Sequence, residues 1–175
     1  EDVREFVSRT STGVRGMKFK EDGDEVVSLS ILHGGDATPE ERDAYLKTAP
    51  WKFDEGDLPE LSETHAKMAE EEQFILTVCS NGYGKLSSAY EYRRAGRGGQ
   101  GITNIDNIKR NGPVVASFTA TKSEQLMLVT DQAKLIRIGL DTLRVIGRAS
   151  AGVRLFNVDD KEQIVSVAKL DEEEA

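Results

Sequence analysis

A short motif occurs three times in this chain of 175 residues: an arginine, three residues of any type, a glycine and then valine or isoleucine. The copies begin at Arg9, Arg97 and Arg148, and the last two are 51 residues apart. After each motif glycine the chain reaches another short apolar segment, at offsets of 13, 13 and 12 residues. Repeats of this length, built from short β-type segments, are typical of propeller blades or repeat arrays rather than of a single-core enzyme.

Within each repeat, alternating apolar residues and turn signals predict short strands. In the second repeat Asn81-Gly82 predicts a hairpin turn with a positive φ, and the strands are predicted at Phe74–Ser80, Lys85–Tyr92, Ile102–Ile105 and Val114–Phe118. The equivalent strands of the third repeat are predicted at Gln125–Thr130, Leu135–Gly139, Val153–Val158 and Ile164–Ala168, and the first repeat is expected to contribute Val26–Leu29. The sequence therefore predicts an all-β fold in which residues 1–175 form about three propeller-like blades of four antiparallel strands.

An acidic stretch at residues 33–73 interrupts the repeats and accounts for the longer spacing between the first two motif copies. Thr38-Pro39-Glu40-Glu41 has the pattern of a capping box with proline at the first helical position, which predicts a helix to about Thr48. Ser62 is expected to cap a second helix that continues through Glu72. The stretch is therefore predicted to be a small helical insertion, and residues 169–175 a disordered acidic tail.

Charge is distributed unevenly along the chain. The net charge is −8 overall, but residues 74–158 carry +7, whereas residues 33–73 carry −8 and residues 159–175 carry −5. A basic repeat body flanked by acidic segments points to a polyanionic partner, with the insertion and the tail as acidic competitors. The alternative is that these charges only keep a β-rich surface soluble.

Residue patterns for catalysis, metal binding or cofactor binding are missing from the sequence. His33 and His65 are isolated, and no nucleophile–base pair or metal-ligand spacing occurs. The segment Gly96–Gly101 satisfies G-x-G-x-x-G, but the residues after it are predicted to be a strand, whereas a dinucleotide site needs a helix there. Cys79 is predicted to be a reduced core residue. No membrane span or signal peptide is expected. A single reduced cysteine suits the cytosol, so a cytoplasmic location is predicted.

Arginines and lysines that recur along the repeats are the remaining functional signal. Cations at equivalent places in successive repeats suit repeated contacts with DNA phosphates, without reading of the bases. The residues predicted to make such contacts are Arg9, Arg15, Lys85, Arg93, Arg94, Arg97, Lys109, Arg110, Lys134, Arg137, Arg148 and Arg154. The alternative for the three motif arginines is that each braces its own loop by binding backbone carbonyls. We expect Arg97 to be nearer to a phosphate contact and Arg148 nearer to a brace.

The segments Ser80–Lys85, Glu91-Tyr92 and Gly96–Ile102 closely resemble the C-terminal domain of the DNA gyrase A subunit. The third repeat and the acidic end of the chain also resemble that domain. The resemblance implies a β-pinwheel, in which neighbouring blades exchange strands and duplex DNA wraps around a positively charged rim. It further implies that wrapping biases strand passage toward negative supercoiling. The partners implied are duplex DNA, the rest of the gyrase A subunit and the gyrase B subunit.

The chain departs from that family pattern in one defining motif. The family's box reads Gln-Arg-Arg-Gly-Gly-Lys-Gly, whereas residues 95–101 keep only Arg97, Gly98, Gly99 and Gly101. The resemblance therefore implies a later-blade piece that is not an enzyme by itself. Two other interpretations remain open. One is the equivalent DNA-binding domain of topoisomerase IV. The other is a propeller-type scaffold for protein interactions, with Trp51 and Phe53 as either contact or packing residues.

Overall fold

The computed structural model describes residues 4–33, 36–54 and 56–170, and these contain two antiparallel sheets. The strands are β1 (Phe74–Cys79), β2 (Tyr83–Ser88), β3 (Val114–Ala120), β4 (Gln125–Thr130), β5 (Leu135–Gly139), β6 (Val153–Arg154) and β7 (Ile164–Leu170). The first sheet has the order β3-β1-β2-β6 and the second has the order β5-β4-β7. The prediction of an all-β fold made of antiparallel blades is confirmed.

The two sheets repeat each other almost residue for residue. Phe74 pairs with Ser88 between β1 and β2, and the residues 51 positions later, Gln125 and Gly139, pair between β4 and β5. A register shift falls at Val78/Cys79 in the first sheet and at Val129/Thr130 in the second, again 51 residues later. The repeat period seen in the sequence is therefore a period of strand pairing.

The two sheets are joined by an exchanged strand. β6 belongs to the third repeat but pairs with β2 of the second, through Tyr83 opposite Arg154 and Gly84 opposite Val153. Gly152, the glycine of the third motif copy, has a φ of +80°, and a Cβ there would lie 2.7 Å from the carbonyl oxygen of Gly84. Glycine is required at this position both for its conformation and for the close approach of two backbones.

The other motif glycines, Gly13 and Gly101, also have positive φ values, of 77° and 76°. The predicted turn glycine Gly82 has a φ of 81°, and Ala133, 51 residues later, has a φ of 60°. The predicted positive φ in these turns is confirmed, and it is retained even where the third repeat has alanine.

The main core lies between the two sheets and is aliphatic. Its buried members come from both repeats and are Leu76, Val78, Leu86, Ala120, Leu126, Leu128, Leu140, Val145 and Ile164. Cys79 is buried and free, as predicted, and burial raises the pKa of its thiol. A shared core of this kind couples the stability of one repeat to that of the next.

The insertion contains the two predicted helices, α1 (Pro39–Thr48) and α2 (Glu63–Glu70). The capping box of α1 is complete, because Thr38 Oγ1 accepts from the Glu41 amide at 3.2 Å and the Glu41 carboxylate accepts from the Thr38 amide at 2.7 Å. Ser62 caps α2. A separate small core joins the helices, with Tyr45, Ala49 and Met68 buried. No helix in the described ranges is long and apolar enough to span a membrane.

Several predicted strands are shorter or missing in the described residues. Residues 4–33 form no strand, and Val26–Leu29 is exposed. This segment lies against β3, since the Ser28 hydroxyl donates to the carbonyl of Ser117, but no described strand forms a backbone ladder with it. The described part of the chain therefore contains two blades, and the division into about three remains a prediction.

The other differences lie within the second and third repeats. The strand predicted at Lys85–Tyr92 ends at Ser88, where a 3₁₀ turn at Ala89–Glu91 begins. Ile102–Ile105 is not a strand, and only two residues of the predicted Val153–Val158 pair. The predicted start of the tail at residue 169 is also wrong, because β7 includes Lys169 and Leu170. The rest of the tail, 171–175, lies outside the described residues.

Candidate nucleic-acid interface

The third copy of the motif is held in place by side chains of the second repeat. The Arg148 amide donates to the Glu91 carboxylate at 2.6 Å, and the Arg148 guanidinium donates to the carbonyl of Thr103. The Lys85 ammonium donates to the carbonyl of Gly147 at 3.0 Å and to that of Arg148. Arg148 therefore binds a backbone carbonyl, but one of the second repeat and not one of its own loop, where the brace interpretation had placed the contact.

The structure does not support the prediction that Lys85 contacts a partner. Its side chain is 1% exposed and lies between β2 and the Arg148 loop, where it is occupied by two carbonyls. Burial lowers the pKa of Lys85 to about 8. The negative charge of Glu91 acts to raise this pKa, and the positive charge of Arg148 lowers it further. A buried ammonium in this position holds two repeats together and is out of reach of a phosphate in solution.

The lowered pKa of Lys85 predicts that the chain gains stability as the solution becomes more basic. Lys85 is charged below about pH 8 when folded and below about pH 10.4 when unfolded, so the unfolded chain binds more protons between these values. We expect wild type to gain about 2 kcal/mol over Lys85→Met between pH 8 and pH 10. Urea unfolding of both proteins at each pH measures this difference, and a constant difference would contradict the assignment.

The second copy of the motif lies against the first repeat. The Gly98 amide donates to the carbonyl of Gly16 at 2.7 Å, and the Lys18 amide donates to the carbonyl of Gly99 at 2.9 Å. Two predicted contact residues, Arg15 and Arg97, are exposed on these two segments. The structure therefore brings the basic segments of the first and second repeats together.

Arg110 and Arg154 meet at the ring of Tyr83. The guanidinium carbon of Arg110 lies 4.8 Å from the ring centroid and that of Arg154 lies 5.3 Å away. Arg154 also donates to the Tyr83 hydroxyl at 2.7 Å, and both arginines are exposed. Cation–π contacts at exposed sites contribute about 0.5–1 kcal/mol each. One tyrosine thus orders two cations from different repeats, and nothing in the sequence marked Tyr83 for this role.

Lys134 is neutralised within its own repeat. Its ammonium lies 2.6 Å from Asp159 and 2.8 Å from the buried carboxylate of Glu162, which also accepts from Thr130 at 2.6 Å. Hydrogen bonds to Asp159 and Glu162 raise the pKa of Lys134, and the bond from Lys134 lowers the pKa of Glu162 to about 2. With two carboxylates on one ammonium, Lys134 is poorly placed to attract a phosphate.

Arg93 and Arg94 are exposed and line a cavity of about 990 Å³ between the insertion and the second repeat. A third arginine, Arg42 of α1, lines the same cavity, together with Tyr90 and Tyr92. The sequence did not single out Arg42, because it lies within the most acidic segment of the chain.

The other predicted contact residues, Arg9, Lys109 and Arg137, are exposed, and Arg137 donates to Gln125 at 2.6 Å. Ion pairs between described residues lie inside the insertion or inside the third repeat, so no acidic side chain of the insertion pairs there with a cation of the repeats. Within the described ranges, no group of three His, Cys, Asp or Glu side chains is arranged to hold a metal ion.

Two blades joined by an exchanged strand, with arginines gathered where repeats meet, define a propeller-like repeat domain with cationic junctions. The family model described as the DNA gyrase C-terminal domain, β-propeller, matches residues 1–33, 73–120 and 124–171. The chain belongs to this family. The matched ranges leave out residues 34–72, which corresponds to the insertion.

The chain is similar to the DNA gyrase A subunit of Rickettsia felis, with 46% identity over 184 residues, covering 98% of this chain and 20% of the relative. It is 45% identical to the same gyrase protein from Granulibacter bethesdensis over 188 residues, covering 94% of this chain and 20% of that one. The chain spans about a fifth of the length of these relatives.

Two solved structures support the fold. One is a structure of the DNA gyrase A C-terminal domain, with a TM-score of 0.54 and 26% identity, covering 58% of this chain and 35% of that one. The other is the C-terminal domain of DNA topoisomerase IV, with a TM-score of 0.52 and 21% identity, covering 57% and 31%. The second is evidence for the fold alone.

Proposed function

We propose that this chain is a non-catalytic DNA-binding module that holds duplex DNA through phosphate contacts, as part of a DNA gyrase A subunit. The observation that carries the proposal is the pair of exposed guanidinium groups that Tyr83 holds together where two repeats meet. Because the pair combines Arg110 of one repeat with Arg154 of the next, each such junction would offer a phosphate a preorganised double cation.

Burial and pairing divide the twelve candidates into two groups. We assign DNA contact to the nine that are exposed and not held by two carboxylates: Arg9, Arg15, Arg93, Arg94, Arg97, Lys109, Arg110, Arg137 and Arg154. Structural roles are assigned to Lys85, Lys134 and Arg148, because the first is buried, the second is ion-paired, and the third is half-buried and braces a carbonyl. Contacts that bind only phosphates carry no sequence information.

In the complete assembly, the chain would act in the cytoplasm together with the rest of its own A subunit and with the gyrase B subunit. Wrapping DNA on the module would present a second segment of the same molecule to the enzyme core and favour negative supercoiling. The relatives, which are named as gyrase A proteins, support this role over the topoisomerase IV alternative. The alternative of a protein-interaction scaffold is weakened, because Trp51, one of its two proposed contact residues, makes internal contacts. Its indole donates to Glu72 at 3.0 Å and packs against the core.

We expect the chain to bind duplex DNA with an affinity that falls steeply with salt and varies little with base sequence. Each neutralised phosphate contributes about 0.9 to the slope of log affinity against log salt concentration. Fluorescence anisotropy with two labelled duplexes of unrelated sequence, measured between about 50 and 200 mM salt, gives both quantities. Salt-independent binding, or a strong preference for one duplex, would contradict the proposed function.

A further inference from the structure

The insertion has a defined position on the second repeat, because it is anchored through one carboxylate. Glu72 accepts from the Tyr45 hydroxyl at 2.6 Å, from the Ser88 hydroxyl at 2.5 Å and from the Trp51 indole at 3.0 Å. The Tyr45 ring packs edge-on against Tyr90 of the second repeat, with centroids 5.3 Å apart. These contacts fix α1 beside the 3₁₀ turn that follows β2.

This position places Arg42 of α1 against the body of the second repeat. One terminal nitrogen of its guanidinium donates to the carbonyl of Tyr92 at 3.3 Å. The Arg42 Nε is buried and has no hydrogen-bond partner among the described residues. A buried donor without a partner costs about 1–3 kcal/mol, and a guanidinium offers five donors in a fork that suits phosphate. Because Nε is shielded from solvent, a ligand in the cleft would meet the terminal nitrogens of this guanidinium, one of which is bonded to the Tyr92 carbonyl.

Arg93 and Arg94 follow Tyr92 directly and line the same cavity of about 990 Å³ as Arg42. Asp36 is the acidic residue that lines this cavity, as far as the described residues go, so positive charge is in excess there. Three guanidinium groups around one concave space form a site for an anion with several hydrogen-bond acceptors, such as a phosphate group. We call this space the Arg42 cleft.

We propose that the Arg42 cleft binds a backbone phosphate of duplex DNA, so that the insertion, despite its net charge of −8, extends the DNA path of the second repeat. This inference rests on the proposed function. It assigns a cationic role to a segment that the matched family ranges leave out.

Continuity of the surface favours DNA over an acidic peptide as the occupant. A second cavity of about 400 Å³ is lined by three arginines, Arg42, Arg93 and Arg148, and by two acidic residues, Asp43 and Glu91, so arginine side chains continue from the cleft to the third copy of the motif with carboxylates among them. A line of guanidinium groups that continues across repeats matches a polymer with evenly spaced phosphates. A short acidic peptide would need only one end of it.

The test compares Arg42→Gln with Lys47→Gln, since both variants remove one positive charge from α1 and Lys47 does not line the cleft. We expect Arg42→Gln to weaken duplex binding about tenfold at low salt and to lower the salt slope by about one. Lys47→Gln should stay within about twofold of wild type, because Lys47 is exposed to solvent, which screens its charge, and does not line the cleft. Thermal unfolding of both variants shows whether the fold is kept.

Equal effects of the two substitutions on DNA binding, in folded proteins, would overturn the cleft proposal. A labelled poly-glutamate peptide serves as the second probe. Peptide binding that is lost in Arg42→Gln while DNA binding is unchanged would also overturn it, in favour of a protein partner. If the wild-type chain does not bind duplex DNA in a salt-dependent way, the proposed function itself is wrong. This outcome is distinguished from failure of the cleft proposal because it is seen in the wild-type measurement alone.

Discussion

Gly84→Ala is expected to destabilise the chain by about 3 kcal/mol or more, because a methyl group has no space at the junction of the two repeats. A Cβ at Gly84 would lie 2.3 Å from the backbone oxygen of Thr77 and 2.6 Å from a methyl carbon of Leu155. The Thr77 oxygen belongs to β1 and cannot move without breaking the sheet. Thermal unfolding followed by circular dichroism should show a melting temperature lower by about 10 °C.

The matched control is Gly96→Ala in the loop before Arg97. A Cβ at Gly96 would meet nothing within 4 Å, and its φ is outside the left-handed region. We expect a change of less than about 0.5 kcal/mol. A small effect of Gly84→Ala, similar to that of Gly96→Ala, would contradict the close packing of β1 and Leu155 against this position.

Glu72→Ala is expected to cost about 3–5 kcal/mol, because it leaves two fully buried hydroxyls and one half-buried indole N–H without an acceptor. The Tyr45 and Ser88 hydroxyls are fully buried, and the Trp51 indole N–H points to the same carboxylate. Burial raises the pKa of Glu72, which the three hydrogen bonds oppose. Chemical denaturation of the variant measures the loss.

The control for this substitution is the neighbouring Glu71→Ala. Glu71 is exposed and makes one surface ion pair with Lys67, at 3.8 Å. Exposed pairs of this kind contribute between 0 and about 1 kcal/mol. If both glutamates tolerate alanine equally well, Glu72 does not hold the insertion on the second repeat. The position of α1 that forms the Arg42 cleft would then be unexplained.

Local signals in the sequence were sufficient for the repeat period, most of the strands and both helix starts. Gly82 and Asn81 form a tight turn whose chemistry is contained in two residues, and Thr38 with Glu41 forms a cap within one turn. The motif glycines could also be interpreted, since a recurrent glycine at fixed spacing indicates a backbone requirement rather than a side-chain function.

Roles that depend on a partner far along the chain could not be predicted in this way. The two carbonyls that accept from Lys85 lie 62 and 63 residues further along the chain. From its own strand alone, Lys85 cannot be distinguished from an exposed lysine. The pairing of Lys134 with Glu162 and the meeting of Arg110 with Arg154 likewise depend on how the repeats are arranged in space. A sequence pattern identified these cations but could not separate phosphate contacts from structural ones.

The salt dependence of DNA binding by the double variant Arg110→Gln/Arg154→Gln tests this separation most directly. The charge-matched control is Lys47→Gln/Lys161→Gln, which also removes two exposed positive charges but none assigned to DNA contact. We expect the slope of log affinity against log salt to fall by about two in the arginine variant and to stay unchanged in the control. Equal slopes in the two double variants would show that binding follows net charge alone and would contradict the assignment of DNA contacts to the arginines at the repeat junction.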